Sequence, residues 1–441
     1  MKRCILVILD GLGDEFIPDL KGTPLEYINE KLETLNYMVK NGIGGLHYPF
    51  KPGIPMSSDT AHLTLFGYDI SREYSGRGYF EALGANVEIR DGDVALRFNF
   101  ATVREDNGKL IIEDRRAGRI STEDSKILAK DLQQALLDAG LPVVVKNTTE
   151  HRGILIIRPE RNELSWKITD TDPHEINEPI LKSQPFEGLS PDEHKAAQVT
   201  ANTLNEVTKI AYKVLSEHEL NKLREKKGLP KANAILARGA GKAVRLTSFK
   251  EKWGFKPAYV AAGALYKGVA RGVGMDEIKV EGATGTVNTN LEAKVQGVIR
   301  ALERGYDFVF LHIKAVDNLS HDMKPLEKAE FIAKIDKALK PLRELDDVVI
   351  TVTGDHSTSS LRGRHIGMPV PILMWSDRIR RDRAERFYED ELVTKGGLGF
   401  IDGINIIPLM MDIADRVMEY GLRPSPKPVF YIGATGEPLK I

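Results

Sequence analysis

Cys4-Ile5-Leu6-Val7-Ile8-Leu9-Asp10-Gly11 is the stretch on which the fold turns. Six apolar residues in succession, stopped by an aspartate and a glycine, fit a core strand that ends abruptly at a polar rim. Similar runs rich in Val and Ile lie at 307–313, 348–352 and 370–374. Helical periodicity separates several of them, at 289–304, 326–345 and 407–420. Strand alternating with helix predicts an α/β fold, a mainly parallel sheet with helices on both faces.

The middle of the chain has a different pattern. Val94, Leu96, Phe98 and Phe100 alternate with Ala95, Arg97, Asn99 and Ala101, which predicts a half-buried strand over 94–103. A partner at 109–112 would follow the turn Asp106-Asn107-Gly108. A helix is expected near 125–139, strands at 143–146 and 153–157, a long polar loop at 169–193 and a long helix at 196–226. The expected organisation is therefore discontinuous. Residues 1–85 and 251–441 form one α/β domain, and residues 86–250 form an inserted α+β domain.

Bulk properties narrow the function. The 441 residues exceed one ordinary core, and 42% hydrophobic with 28% charged residues is the profile of a soluble globular protein. A net charge of −1 gives no basis for binding nucleic acid or an anionic membrane. The lone cysteine, Cys4, has no intrachain partner and sits in a core strand, so a cytoplasmic location is expected. Nowhere do roughly 18 apolar residues run together, as a membrane-spanning helix requires.

Three of the predicted strands lead into acidic residues: Leu9-Asp10-Gly11, the run at 308–313 followed by Asp317 and His321, and the run at 349–353 followed by Gly354-Asp355-His356. Ligands of open α/β sheets bind beyond the carboxyl ends of the strands, so these groups should converge on one rim. Arg364-His365-Ile366-Gly367, before another strand, could bring His365 to the same place. A strand-end aspartate is often only a helix cap; the joint occurrence is what carries weight. Mixed carboxylate and imidazole ligands suit Zn, Mn or Fe better than Ca. Three Asp and three His suffice for two metals, an arrangement that can clamp both oxygens of a phosphoryl transfer.

A nucleophile is expected in Pro55-Met56-Ser57-Ser58-Asp59-Thr60-Ala61-His62, a loop running into a helix. A hydroxyl at a helix N-terminus meets backbone N–H groups and a dipole that favour anionic phosphate. The bland alternative is that Ser57 or Ser58 merely caps the helix.

Taken in order and spacing, Asp10-Gly11, Met56-Ser57-Ser58-Asp59-Thr60-Ala61-His62, Asp317 with His321, Gly354-Asp355-His356-Ser357 and His365 resemble the cofactor-independent phosphoglycerate mutases of the alkaline-phosphatase superfamily. Ala283-Thr284-Gly285, Asp114-Arg115-Arg116-Ala117-Gly118-Arg119 and Asp170-Thr171-Asp172-Pro173-His174 are similar to their shorter archaeal branch. The resemblance spans essentially the whole chain. It implies interconversion of 3-phosphoglycerate and 2-phosphoglycerate in glycolysis and gluconeogenesis, without a bisphosphoglycerate cofactor and through a phosphoserine.

Asp10, Ser58, Asp355 and His356 would hold one divalent ion, and Asp317, His321 and His365 the other. Mn2+ is the first choice of ion, with Zn2+, Co2+ and Mg2+ as alternatives. Ser58 would be the nucleophile, because it stands four residues before His62 as the family's serine does before its histidine; His62 itself would pack the helix. The inserted domain would bind glycerate and phosphate through Arg115, Arg116, Arg119, Arg238 and Lys242, with His151, Arg152, His174 and Lys267 behind them. Arginine suits this work because its planar fork binds carboxylate or phosphate bidentately.

Two glycine-rich segments are set aside. Gly239-Ala240-Gly241-Lys242-Ala243 lacks the first glycine and the hydroxyl of a nucleotide phosphate loop, and Gly11-Leu12-Gly13 lacks the third glycine of a dinucleotide fingerprint. A phosphatase or another phosphomutase of the same superfamily is the alternative function, and a metal-stabilised binding protein without chemistry is the remote one.

Overall fold

A computed structural model describes residues 1–243, 245–434 and 436–441. They form two compact units: Met1–Tyr74 with Leu246–Ile441, and Ser75–Arg245. The first junction falls before the expected 85/86 boundary because the helix Arg77–Gly84 packs on the second unit's strands Val94–Asp106 and Ala234–Lys242. Its close approach needs glycine: a Cβ on Gly76 would meet the Ala240 carbonyl oxygen at 2.0 Å, and one on Gly241 the Gly76 oxygen at 2.5 Å.

Among the described residues, the first unit carries an eight-stranded sheet. Its order is Gly399–Asp402, Ile43–Tyr48, Val370–Trp375, Val348–Thr353, Arg3–Leu9, Phe308–Ile313, Pro257–Val260, Asp276–Glu277. The sheet is mainly parallel; only Val370–Trp375 runs against its neighbours. Arg3–Leu9 is central, and its residues from Cys4 to Leu9 are fully buried. On one face Ile5, Val7 and Leu9 share a core with the helices Leu291–Glu303 and Pro325–Leu339. On the other, Phe310 meets Phe66 with ring centres 5.0 Å apart and Phe308 meets Phe249 at 4.5 Å. Each large apolar side chain so buried contributes about 1.5–3 kcal/mol. Burial also pushes the Cys4 thiol up to about 12, which makes it an inert core residue.

The second unit is an antiparallel sheet backed by the helices Thr122–Asp138 and Pro191–Ser216. Its spine is Val94–Asp106, longer than expected and buried on both faces through residue 103 apart from Arg97. The alternation had suggested one wet face; instead Ala95 and Ala101 are small enough to lie beneath further packing. The turn at Asn107 and Gly108 has φ of 50° and 75°, the paired left-handed geometry of a tight hairpin. Gly239–Lys242 lies in the strand Ala234–Lys242, paired antiparallel to Val94–Asp106.

Two helices depart from expectation. The 196–226 pattern is two helices, Pro191–Ser216 and Glu219–Lys226, because the His218 side chain accepts from Leu220 N and caps a new start. The 407–420 pattern stops at Ile413, where Asp415 turns left-handed at φ 56°.

Candidate active site

The strands Val348–Thr353, Arg3–Leu9 and Phe308–Ile313 are parallel neighbours, with Ile8 opposite both Thr353 and His312. Their carboxyl ends therefore deliver Asp355, Asp10 and Asp317 to one rim. Asp317 enters one step later, on the helix Ala315–His321, which places His321 one turn beyond it with Nε2 3.3 Å from Asp317 Oδ2. His365 comes from the short strand Arg364–Ile366, paired with Ser357–Ser359. Gly11 is required here: its φ is 68°, and a Cβ would lie 2.8 Å from both Asp317 Oδ1 and Thr358 Oγ1.

The three histidines are oriented alike. His321 and His365 each present Nδ1 at 2.7 Å to a backbone carbonyl, of Gly363 and Met56 respectively. Since a carbonyl only accepts, both Nδ1 atoms carry the hydrogen. His356 Nδ1 lies 3.0 Å from Thr358 Oγ1, whose own hydrogen goes to Asp317 Oδ1 at 2.7 Å, so His356 Nδ1 donates too. All three Nε2 atoms then face inward, toward the carboxylates, and offer lone pairs once deprotonated; until then His321 Nε2 shares its proton with Asp317. An outward-anchored Nδ1–H is the usual support of a metal-binding imidazole.

Two candidate ligand sets follow, Asp317 with His356 and His365, and Asp10 with Asp355 and His356, each with ligand atoms within 4.8 Å of one another. His321 adjoins the first set through His365, Nε2 to Nε2 3.2 Å. Ser58 adjoins the second, its Oγ 3.2 Å from His356 Nε2. The resemblance puts His356 with Asp10, Ser58 and Asp355; geometrically it borders both sets.

The electrostatics suit cations. Asp10, Asp317 and Asp355 are at most 1% exposed. Burial and the neighbouring Asp10 charge push the Asp355 carboxyl well above its ordinary value. Asp355 Oδ1 accepts from the Gly11 and His356 N–H groups, but Oδ2 is buried and accepts no hydrogen bond. Burial would raise Asp10 and Asp317 as well, yet both are held below the usual carboxylate range. Lys314 and His312 do this for Asp10; a hydrogen bond from His321 and the Lys314 charge do it for Asp317. An orphaned carboxylate oxygen beside inward-facing imidazole lone pairs fits divalent ions.

Sequence reasoning missed two members of this centre. Lys314 places Nζ 3.2 Å from Asp10 Oδ1 and also bonds Asp317 Oδ2; burial opposes its charge, but the Asp10 charge keeps its pKa well above the ordinary lysine value. His312 donates Nε2–H to Asp10 Oδ2 at 2.9 Å and is depressed to about 3 by burial, so it is a neutral hydrogen-bond donor. Both lie on the Phe308–Ile313 strand or just past it, and only the register with Arg3–Leu9 shows that they reach Asp10.

The two serines separate cleanly. Ser57 is the exposed N-cap residue of the helix Ser58–Leu65, and its hydroxyl bonds Thr60 Oγ1. Ser58 is the first helical residue, buried, with its hydroxyl at His356. His62 Nδ1 lies 2.7 Å from the Ser58 carbonyl oxygen, and its ring packs among Phe66, Tyr266, Phe310 and His312.

In the second unit the basic candidates divide. Asp172 gathers Arg115, bidentate at 2.7 and 3.1 Å, and Arg238 at 2.6 Å, with His174 Nδ1 3.2 Å from Arg115. His151 is depressed to about 4, first by burial and then by Arg152, with Arg116 and Arg238 adding to it, so each of these charges acts on His151. Arg77 and Arg97, missed in the sequence, share Glu81; burial and the Arg77 and Arg238 charges lower Arg97 to about 10. Arg119 stands exposed in a left-handed turn at φ 54°. Lys242 ends the strand Ala234–Lys242, opposite Val94, whereas Arg238 is opposite Arg97. Lys267 belongs to the first unit, where Glu277 neutralises it at 2.8 Å.

A family model described as 2,3-bisphosphoglycerate-independent phosphoglycerate mutase matches residues 39–221. The enzyme of that name from Pyrococcus furiosus is 44% identical over 425 residues, 95% of this chain and 99% of the relative. A solved protein from Pyrococcus horikoshii superimposes with a TM-score of 0.79 at 38% identity, covering 96% of this chain and 99% of that one. The cofactor-independent phosphoglycerate mutase of Thermoplasma acidophilum gives a TM-score of 0.66 at 35% identity, over 94% and 100% of the two chains.

Proposed function

Because the chain belongs to the family of 2,3-bisphosphoglycerate-independent phosphoglycerate mutases, we infer that it interconverts 3-phosphoglycerate and 2-phosphoglycerate through Ser58. Asp10, Ser58, Asp355 and His356 would hold one divalent ion, and Asp317, His321 and His365 the other, with Mn2+ the first choice. Bound there, the ions would lower the pKa of the serine hydroxyl and offset the charge on the transferring phosphoryl group.

The chain's own groups perform the rest. Ser58 Oγ attacks the substrate phosphorus, and the phosphorus–oxygen bond to the glycerate breaks. The helix Ser58–Leu65 presents its N-terminal N–H groups to the phosphoserine oxygens. Lys314 supplies a fixed positive charge beside Asp10 and Asp317, where it can meet a phosphate oxygen. Arg115, Arg116, Arg152 and Arg238 hold glycerate by its carboxylate. The retained glycerate then offers its other hydroxyl to the phosphorus, and Ser58 leaves. Exclusion of water during this exchange separates a mutase from a phosphatase. A cytoplasmic enzyme fits this chemistry, and no helix among the described residues is long and apolar enough to cross a membrane.

The observation that carries the reading is the set of three imidazoles whose Nε2 atoms face buried carboxylates next to the Ser58 hydroxyl. Its test is a coupled assay with 3-phosphoglycerate, enolase and Mn2+, with no bisphosphoglycerate added. Steady phosphoenolpyruvate formation is expected. Release of inorganic phosphate in place of 2-phosphoglycerate would transfer the chain to the phosphatases.

A further inference from the structure

Lys328 is a fully buried lysine in the helix Pro325–Leu339. In the sequence it is one of three lysines on an amphipathic helix. In the fold its ammonium lies 2.9 Å from the Gly11 carbonyl oxygen, 3.3 Å from that of Gly13, 2.9 Å from Asp14 Oδ2 and 3.3 Å from the Thr358 carbonyl oxygen. A buried ammonium costs several kcal/mol unless it is paired and hydrogen-bonded throughout. Asp14 is its counter-ion, itself also fully engaged by the Ser360 hydroxyl at 2.6 Å and the Ser360 N–H at 3.0 Å.

The acceptors come from two separate loops. Gly11, Gly13 and Asp14 follow Asp10 at the end of Arg3–Leu9. Thr358, and Ser360 which donates to Asp14, follow Asp355 and His356 beyond Val348–Thr353. Thr358 reaches further: its hydroxyl donates to Asp317 Oδ1 and receives from His356 Nδ1. The two loops also meet directly, by Thr358 N–H to Gly13 O at 2.9 Å and Gly11 N–H to Asp355 Oδ1 at 3.0 Å. One charged side chain thus ties together the backbone behind Asp10, Asp355, His356 and, through Thr358, Asp317.

We propose that Lys328 is a positioning residue that sets the spacing of both metal-ligand sets by clamping the loops 10–14 and 355–360 to each other. The proposal rests on the two-ion reading above. It makes no contact with substrate and takes no part in the transfer; its effect passes through the ligands. Groups behind metal ligands typically govern about 10–100-fold in metal affinity.

The test is Mn2+ titration of chelator-treated protein, followed by the electron paramagnetic resonance signal of free aqueous Mn2+. Wild type should take up two ions. Lys328→Met, of similar length but uncharged, should weaken both by about 10–100-fold while far-UV circular dichroism is unchanged, and excess Mn2+ should restore kcat. Asp14→Asn, which keeps the packing and removes only the counter-charge, should weaken both in the same direction, and it decides the matter if Lys328→Met gives no soluble chain. Wild-type affinity in the folded variants, or weakening of one ion alone, overturns the proposal while leaving the two-ion reading intact. A wild-type chain that binds no Mn2+ removes that reading and the proposal with it.

Discussion

His321 and His365 face each other through their Nε2 atoms, 3.2 Å apart, while each gives its Nδ1–H to a backbone carbonyl. Two imidazole lone pairs at that distance repel unless a proton or a cation lies between them. The pair therefore has a built-in demand for positive charge, next to the Asp317 carboxylate that can share it.

That demand predicts how the second ion behaves. Elemental analysis of active protein should find two divalent ions per chain, removable by chelation with loss of activity and restorable by Mn2+. His321→Ala and His365→Ala should each weaken the same ion, by tenfold or more in order of magnitude. In metal-free protein the hydrogen bond to Asp317 raises the His321 pKa above the ordinary histidine value. The ion must displace that proton, so affinity should climb as pH rises through and beyond the ordinary histidine range. Loss of different ions in the two variants would show that the ligands are divided otherwise.

The serine prediction uses the contrast between neighbours. Ser58 meets His356, whereas Ser57 is exposed and bonded to Thr60. Trapping the enzyme with substrate and mapping phosphate by mass spectrometry should place it on Ser58. Ser58→Ala should abolish transfer and lower metal occupancy, and Ser57→Ala should retain activity. Phosphate on Ser57 would refute the assignment.

The arginine unit should act on binding. Arg238→Ala leaves Asp172 paired with Arg115, so the fold should hold. Loss of one charge-assisted hydrogen bond of about 1.5–3 kcal/mol lowers kcat/KM by roughly 10–100-fold, chiefly through KM, with metal content unchanged. Arg116→Ala should behave similarly. Unaltered kcat/KM in either variant takes that residue out of the site.

Glu389, within electrostatic reach of Lys328 and Asp14, predicts a pH-dependent stability change. The residue is partly buried, and its Oε1 is sealed from water without a hydrogen-bond partner, while Oε2 accepts from Thr23 at 2.7 Å. Burial raises the carboxyl to about 7. The folded state therefore favours the protonated form. Its stability is greatest below the unfolded value of about 4.3 and falls as pH rises toward 7. Glu389→Gln should raise Tm by about 2 °C above pH 7, with the difference vanishing near pH 4. Equal melting curves at pH 8 would dismiss the effect.

Most of the candidate ligand set was legible in the sequence because its spacing is local. Asp10, Asp317 and Asp355 follow apolar runs, and a buried parallel strand has few ways to end other than at a polar rim. His321 was legible from its one-turn spacing to Asp317. The half-buried reading of 94–103 failed because alternation of large with small apolar residues looks like alternation of buried with exposed. The 407–420 helix was overextended because the left-handed turn at Asp415 carries no glycine or proline to announce it.

What the sequence alone determined is the α/β class, the convergence of carboxylates and histidines, and the serine beside a helix start. These follow from periodicity and short-range spacing, which the chain carries locally. What only the tertiary structure decided is which distant groups share one volume. Lys314 and His312 reach Asp10, Lys328 closes on Gly11 and Thr358, and Arg97 joins Arg238 through strand register. Lysines and arginines on amphipathic elements look solvated in a linear sequence. Burial against a particular partner, set by contacts between residues distant in the chain, is what turns them into parts of a site.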